Sequence, residues 1–412
     1  MDRNEHLFRS EFGRLVTALT RIFGLQNLAL AEDVVQDTFC RALEVWKLRG
    51  LPENPSAWLM TAAKNRAIDL LRRERRARDL VPELGALVDS EWTLVPAISG
   101  YFDVETIKDD ELRMMFSCCH PELSEATQIA LTLNLLCGFT AAEVAAALLS
   151  KRPAIEKRIE RGKKALAASQ LFDLADDELA ERLAAVHRVL YLLFNEGYHG
   201  ASAKAAVRVE LCREAMRLAE RLLEHELVAT PASYALCGLM ALHAARLRAR
   251  RNESGDFVSL FDQDRSLWDR ELMAKGIRFL EESSVGSDAS EYHIEAAIAA
   301  AHCAAARAEE TDWNLIVWLY DKLMELRPSP VVALNRGIAV SYRDGPERGI
   351  EVLRSIAERE RLSEYPFYSA ALGELELRAG HPGEARRHFE AALAVARNAM
   401  ERRFLESRLA GV

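Results

Sequence analysis

The 412-residue sequence predicts an all-helical protein. Apolar residues recur at intervals of three and four along most of the chain. Ala, Leu, Glu and Arg dominate, strand-forming runs are scarce, and Gly and Pro mostly fall between the periodic segments. A chain of this length exceeds what one hydrophobic core usually serves, so we expect two to four domains.

The N-terminal residues and the hydropathy pattern argue against a membrane or secreted protein. No apolar run approaches the length of a membrane span, and the charged start MDRNEHLFRSEF lacks the apolar stretch of a signal peptide. We therefore expect a cytoplasmic protein with no membrane partner.

The seven cysteines predict neither a disulfide framework nor a metal site. They are odd in number and scattered without paired spacing. In the stretch CCHP at 118–121, adjacent cysteines followed by histidine cannot easily supply three corners of a tetrahedron, and no second CxxC or HxxxH follows. We expect buried cysteines here, no metal and no cofactor.

The net charge of -9 conceals two basic segments. Residues 64–78 carry seven Lys or Arg against two acids, and residues 151–164 have the same balance of +5. Between them, residues 79–111 contain nine acids and one lysine, a balance of -8. Either basic segment alone is compatible with a solvated helix face, so its neighbours must decide the interpretation.

The first basic segment follows a helix with a polar outer face. The stretch AEDVVQDTFCRALEVW at 31–46 has an apolar stripe that includes Val34, Leu43 and Trp46. Polar residues suited to docking another protein lie away from this stripe: Asp33, Gln36, Asp37, Arg41 and Glu44. After the break GLPENPS, Asn54 can cap a new helix and Pro55 fits its first turn, so 56–78 is predicted as one helix. Its outer side carries Asn65, Arg66, Asp69, Arg72 and Arg73.

The second basic segment ends a predicted helix-turn-helix unit. Ser124 begins a helix through Leu136, and Gly138 ends it. Thr140 and Glu143 form a capping box on a short helix over 141–149. A tight turn then leads into a helix over 153–167, whose apolar residues pack inward while its charged residues are free to meet DNA in the major groove. An ordinary helical hairpin remains the alternative for this stretch alone.

The order of these motifs resembles the extracytoplasmic-function class of bacterial RNA polymerase sigma factors. The stretch AEDVVQDTFCRALEVW is similar to the region-two helix that docks on the clamp helices of the largest polymerase subunit. NPSAWLMTAAKNRAIDLLRRERR is similar to the loop and helix that read the minus-10 element. Residues 124–167 are similar to region four, which reads the minus-35 element. The resemblance covers about 170 residues.

The resemblance implies core RNA polymerase and promoter DNA as partners and assigns site residues. The polymerase-binding residues are Asp33, Gln36, Asp37 and Arg41. The minus-10 residues are Asn54, Ser56, Asn65, Arg66, Asp69, Arg72 and Arg73. The minus-35 residues, taken together with the helix-turn-helix prediction, are Thr140, Arg152, Lys157, Arg158, Arg161, Lys163 and Lys164. Glu156 and Glu160 depart from the usual recognition helix. Trp58 suits core packing better than a strand-separating wedge.

The predicted organisation has four parts. Residues 1–80 form the region-two domain, 81–111 an acidic linker that could thread a basic polymerase channel, and 112–170 the region-four domain. Residues 173–412 are expected to form a tetratricopeptide-like domain, because Pro346 and Pro382 mark similar helix pairs 36 residues apart. Such stacked pairs offer a concave surface for a protein or peptide ligand.

Two motifs in the C-terminal half resemble a branch of these sigma factors that carries a long tetratricopeptide-like extension. They are LFNEGY at 193–198 and DQDRSLWDR at 262–270. In that branch the extension is thought to regulate activity in cis. A regulatory ligand or interdomain site is one interpretation of the second motif, and a capped loop leading into a buried tryptophan is the other: Asp262, Asp264, Arg265, Trp268 and Arg270. We expect a structural, hydrogen-bonded turn at Asn195, Glu196, Tyr198 and His199.

A sigma factor accounts for all three N-terminal motifs. The alternative is a helix-turn-helix transcriptional regulator with a tetratricopeptide sensor, which would leave the region-two resemblance unexplained. A pure tetratricopeptide scaffold would explain neither basic segment. We predict no enzyme and no catalytic residues, because the sequence has no Gly-rich phosphate loop, metal constellation or nucleophile-base pair.

Overall fold

The prediction of an all-helical fold is confirmed. The computed structural model describes residues 3–73, 98–148, 150–169, 174–199, 209–252, 257–286, 289–396 and 399–412. Across these ranges the only β-type pairing is an isolated antiparallel bridge between Arg251 and Phe257. None of the described helices is long and apolar enough to cross a bilayer. The chain divides into two compact units, Met1–Leu192 and Leu193–Val412.

Within the described residues, seven helices and most of an eighth build the first unit. They are α1 (Arg3–Phe23), α2 (Leu28–Arg49), α3 (Pro55–Arg73), α4 (Val104–Cys118), α5 (Glu125–Leu131), α6 (Ala141–Ala147), α7 (Arg152–Ser169) and the greater part of α8 (Asp176–His199). Helix α5 continues as a π-helical segment, Thr132–Leu136. The chain then turns at Gly138, whose φ of 65° favours glycine.

Helix α1 is the centre of the first unit. It packs against α2, α3, α4 and the π-helical segment, and Leu15, Val16 and Leu19 on it are fully buried. The predicted region-two and region-four segments therefore share one hydrophobic core.

A close approach at Gly13 makes this shared core sensitive to small changes. A Cβ added at Gly13 would overlap the backbone carbonyl of Leu136. Because backbone atoms cannot move aside as a flexible side chain can, we expect Gly13→Ala to lower the free energy of unfolding by about 3 kcal/mol. Chemical denaturation followed by circular dichroism measures this change. Gly100→Ala is the control, since no atom lies within 4 Å of its added Cβ; equal stability of both variants would contradict the prediction.

Four boundaries differ from the sequence-based expectation. The helix predicted over 124–136 changes to π-helical hydrogen bonding at Thr132, the short helix ends at Ala147, and the recognition helix runs from Arg152 to Ser169. The acidic linker is partly helical, because α4 begins at Val104 and buries Asp110 and Glu111. Linker residues 81–97 lie outside the described residues. Leu43, assigned to the apolar stripe of α2, is 49% exposed.

The second unit begins with the end of α8, and its described part contains ten further helices, each of which packs on the next along the chain. They are α9 (Val209–Leu222), α10 (Pro231–Ala244), α11 (Arg270–Glu282), α12 (Glu291–Ala304), α13 (Trp313–Leu326), α14 (Pro330–Asp344), α15 (Pro346–Arg354), α16 (Pro366–Arg378), α17 (Pro382–Ala394) and α18 (Ala399–Ala410).

Helices α14 to α17 form two successive pairs. Pro346 and Pro382 begin the second helix of each pair. Proline is tolerated there because the N–H groups of the first turn have no intrahelical acceptor, so the missing N–H of proline costs no helix hydrogen bond. Leu334, Leu353 and Leu375 lie in one buried cluster that joins the pairs. This arrangement is compatible with the predicted repeat, whose assignment as tetratricopeptide-like stays a prediction.

Candidate nucleic-acid interface

The outer face of α2 is open to solvent. Its inward positions Val34, Val35, Thr38 and Ala42 are buried. The four predicted polymerase-binding residues are all exposed: Asp33, Gln36, Asp37 and Arg41. The helical spacing that buries the apolar residues therefore places the four polar residues together on the solvent-exposed side of α2.

The loop before α3 is held by its own polar side chains. The Asn54 Oδ1 accepts a hydrogen bond from the Ala57 N–H at 3.0 Å, which is the predicted helix cap. The Ser56 hydroxyl donates to the Glu11 carboxylate on α1 at 2.9 Å. Asn54 and Ser56, two of the predicted minus-10 residues, thus fix the shape of the loop in this structure.

Helices α2 and α3 bring two predicted sets of site residues together. The Arg66 guanidinium on α3 lies 2.9 Å from the Asp37 carboxylate on α2. These residues line a hollow of about 250 Å³ together with Thr38, Arg41 and Ala62. Asn65 and Asp69 are also exposed on α3. The side chains of Arg72 and Arg73, and all of Arg75, Arg76 and Arg78, lie outside the described residues.

Trp58 packs in an aromatic cluster. Its ring meets Trp46 edge-on at a centroid distance of 5.5 Å, and Trp46 stacks on Phe8 at 5.6 Å. This geometry supports the core interpretation of Trp58.

The predicted capping box on α6 is present. The Glu143 N–H donates to Thr140 Oγ1 at 3.3 Å, and the Thr140 N–H donates to the Glu143 carboxylate at 2.9 Å. The same carboxylate binds Arg9 on α1. Thr140 itself is exposed, so it remains accessible at the start of the helix-turn-helix unit.

Helix α7 separates an apolar inner side from a charged outer side. Ile155, Ile159, Gly162 and Leu166 are buried. The outer side contains four exposed basic residues, Arg152, Lys157, Arg161 and Lys164, and the half-buried Arg158. The two unusual acids pair with basic neighbours one turn away, Arg152–Glu156 and Lys164–Glu160, both at 2.7 Å. The hydrogen bond from Lys164 lowers the pKa of Glu160.

Lys163 is not free in this structure, contrary to the expectation for that helix. Its ammonium group donates to both carboxylate oxygens of Glu32 on α2, at 2.7 and 2.8 Å. The two residues are 131 positions apart and meet because α7 packs beside the turn Leu25–Asn27 that leads into α2. Lys163, a predicted minus-35 residue, is therefore paired with the residue that precedes Asp33, a predicted polymerase-binding residue.

Cys118 and Cys119 are buried, and burial raises the pKa of both thiols, that of Cys118 to about 12. They are protonated at neutral pH, whereas zinc binds thiolates. In the part of the chain that the structure describes, no three His, Cys, Asp or Glu residues are grouped to hold a metal ion.

The DQDRSLWDR motif forms a capped loop in the second unit. Asp264 accepts the Ser266 N–H at 2.8 Å, and Arg265 donates to the carbonyls of His302 and Ala305. Asp262 pairs with Arg408 at 2.9 Å. Trp268 is buried, and Arg270 is exposed at the first position of α11.

The LFNEGY motif lies inside α8, not in a turn as the sequence suggested. Two buried arginines that the sequence did not single out, Arg246 and Arg250, contact Tyr198 of this motif. The arginine-rich run 246–251 was the available signal, but a run of arginines normally indicates a solvated surface.

Family models match three successive segments. Sigma-70 region 2 matches residues 7–77, and sigma-70 region 4 matches residues 113–166. A family of unknown function, DUF6596, matches residues 182–284. The two sigma regions, in this order on an all-helical chain, define an RNA polymerase sigma factor, which directs promoter recognition and transcription initiation.

Individual relatives narrow the class of sigma factor to which the chain is similar. An uncharacterized protein of Rhizobium meliloti (strain 1021) is 40% identical over 396 residues, covering 95% of this chain and 92% of that protein. The ECF RNA polymerase sigma factor SigK of Mycobacterium sp. (strain KMS) is 27% identical over 157 residues, covering 37% of this chain and 75% of SigK. SigK of Mycolicibacterium vanbaalenii is 28% identical over 158 residues, with 37% and 74% covered. The chain belongs to the extracytoplasmic-function sigma factors and carries a long C-terminal extension.

Proposed function

We propose that α2 docks on the clamp helices of core RNA polymerase, α3 and its preceding loop read the minus-10 element, and α7 reads the minus-35 element. The observation that carries this proposal is that polar faces of α2 and α7 are both solvent-exposed on one shared core. Basic residues on α7 can bind phosphates, and polar residues on α3 can capture unstacked bases.

Run-off transcription with purified core polymerase on a promoter library tests this proposal. Core-dependent initiation at defined start sites is the expected result. Binding to duplex DNA without any core-dependent initiation would favour the helix-turn-helix regulator instead.

We further propose that the first unit opens when it engages a promoter. A compact unit of 192 residues has a radius of gyration of about 16 Å. The minus-10 and minus-35 elements lie roughly 25 base pairs apart, about 85 Å along the DNA at ~3.4 Å per base pair. One closed unit cannot reach both elements. The pairs Lys163–Glu32 and Arg9–Glu143, which join the two sigma regions, would then have to separate.

Glu32→Gln tests the role of the first pair. Both side chains are largely shielded from solvent, with 25% and 15% exposed, so losing the pair should favour opening and release Lys163. We expect the free variant to bind a minus-35 duplex roughly five-fold more tightly, or about 1 kcal/mol. Fluorescence anisotropy measures this change. Glu105→Gln, which breaks an exposed pair on α4 outside the proposed DNA surfaces, controls for net charge; an equal gain from it would contradict the proposal.

We propose that the second unit controls transcription in cis. A comparison of the full chain with residues 1–192 in run-off transcription tests it, and equal transcript yields would contradict it. This truncation retains two contacts that α8 makes in the first unit: Arg182 with the Phe116 carbonyl and Arg188 with Glu125. Ending the chain at residue 172 would remove both.

We also propose a protein or peptide ligand for the C-terminal helices. A hollow of about 530 Å³ lies between α12 and α13, with Ile294, Ala297 and Leu319 in its lining. At its edge Trp318 and Leu326 are each more than half exposed, and exposed apolar patches of this kind commonly mark interaction sites. A Trp318→Ser variant with wild-type transcription in cells would count against this ligand.

A further inference from the structure

Two buried arginines of the second unit hydrogen-bond no carboxylate among the residues that the structure describes. Only 6% of Arg246 and 8% of Arg250 is exposed. Arg246 Nη2 hydrogen-bonds the Tyr198 hydroxyl at 2.9 Å and His243 Nδ1 at 2.7 Å. Arg250 Nη2 donates to the Tyr198 carbonyl at 3.1 Å. Among the described residues, the hydrogen-bond partners of these guanidinium groups are thus a phenol, an imidazole and a carbonyl, none of them a carboxylate.

Aromatic rings surround these cations without neutralising them. Arg250 lies 3.9 Å from the centre of the Tyr198 ring and 5.2 Å from that of Phe257. Arg246 lies 6.0 Å from Tyr198 and 5.8 Å from Trp268. The Nε–H groups of both arginines and the indole N–H of Trp268 are buried without an acceptor. Three unsatisfied donors therefore occur in one stack of rings.

A third cation adds to the positive charge of this stack. Arg265 lies 4.8 Å from the Trp268 ring and donates to two backbone carbonyls. Glu309 and Glu310 lie near Arg265 and favour its charged form. The neighbouring His302 adds no further positive charge, because burial, with Arg246 and Arg265 nearby, lowers its pKa to about 3. Buried cations are costly unless a counter-ion and hydrogen bonds compensate them.

We propose that Arg246, Arg250 and Trp268 form a binding site for a small oxyanion, either a phosphate or a carboxylate group. Guanidinium forks match the spacing of such oxygens, and the ligand would supply both the missing acceptors and the missing charge. The site lies wholly within the segment that matches the family of unknown function. It is independent of the polymerase and DNA surfaces proposed above.

The loop over 257–269 connects this site to later helices. Its Phe257 and Trp268 cover the two arginines. Between them, Phe261 stacks on Tyr342 of α14 at 4.3 Å, and Asp262 pairs with Arg408 of α18. An anion that shifts Phe257 or Trp268 would therefore also alter the loop's contacts with the C-terminal helices, which gives the site a route to regulation.

Isothermal titration of the full chain with inorganic phosphate and, separately, with succinate tests the proposal at constant ionic strength, with chloride as the reference salt. We expect saturable binding of at least one anion and a higher melting temperature than in chloride. Binding of phosphate alone identifies a phosphoryl ligand, and binding of succinate alone identifies a carboxylate. Arg246→Gln should weaken binding at least tenfold, whereas Arg248→Gln, an exposed neighbour, should leave it unchanged.

Trp268→Phe provides a second variant in case Arg246→Gln does not fold. Phenylalanine preserves an aromatic ring but removes the indole N–H, so we expect about threefold weaker binding with the melting temperature in chloride nearly unchanged. The proposal is overturned if neither anion binds saturably, if Arg248→Gln weakens binding as much as Arg246→Gln, or if Trp268→Phe and a folded Arg246→Gln both bind as tightly as wild type.

Discussion

Asp33→Arg is expected to reduce binding to core RNA polymerase by at least about thirtyfold and to abolish core-dependent transcription. Asp33 is exposed on the outer face of α2. Reversing a charge at the proposed docking interface removes an attraction and adds a repulsion, which together cost on the order of 2–5 kcal/mol. The fold should be unaffected, because the substituted side chain stays in solvent. Fluorescence anisotropy with labelled protein and purified core polymerase measures the affinity.

Asp33 is a better position for this test than Asp37. Asp37 forms the ion pair with Arg66, so its substitution would also disturb the proposed minus-10 surface. Glu226→Arg makes the same charge change at an exposed position of the second unit and serves as the control. Wild-type core binding by Asp33→Arg, or an equal loss in Glu226→Arg, would contradict the assignment of α2 as the docking helix.

The double substitution Arg158→Glu and Arg161→Glu is expected to lower transcription from a minus-35-dependent promoter at least about tenfold. Two phosphate or base contacts would be lost, and each such contact is worth about 1 kcal/mol or more. The slope of the logarithm of the DNA-binding constant against the logarithm of salt concentration should become less negative by about two. Core binding should stay at the wild-type level. Run-off transcription and DNA binding across a salt series measure these effects.

Arg158 and Arg161 suit this experiment because they leave the Lys163–Glu32 pair intact. The control is Arg213→Glu, an exposed arginine of the second unit. If transcription persists with the wild-type salt dependence, α7 does not contact DNA through these residues. If core binding falls in parallel with transcription, the substitutions disturb the first unit as a whole.

Local patterns explain why the helices and their exposed faces could be predicted from the sequence, whereas the sigma-factor class was implied by the resemblance of successive motifs. The spacing that buries Val34 and Val35 also exposes Asp33 and Gln36, and the Thr140 capping box depends on residues three apart. The roles of the individual site residues stay predictions, because a solvent-exposed arginine has the same local signature whether or not it binds DNA.

Contacts between distant residues could not be predicted in the same way. Lys163 meets Glu32 across 131 positions, and Arg246 and Arg250 converge on Tyr198 from about 50 positions away. No periodicity within one helix encodes which charged residue will face another helix, or which arginine will be buried. The sequence by itself determined the all-helical class and the order of the sigma regions, because both depend on neighbouring residues. Only the tertiary structure decided which charges are paired, exposed or buried, because that depends on helix packing.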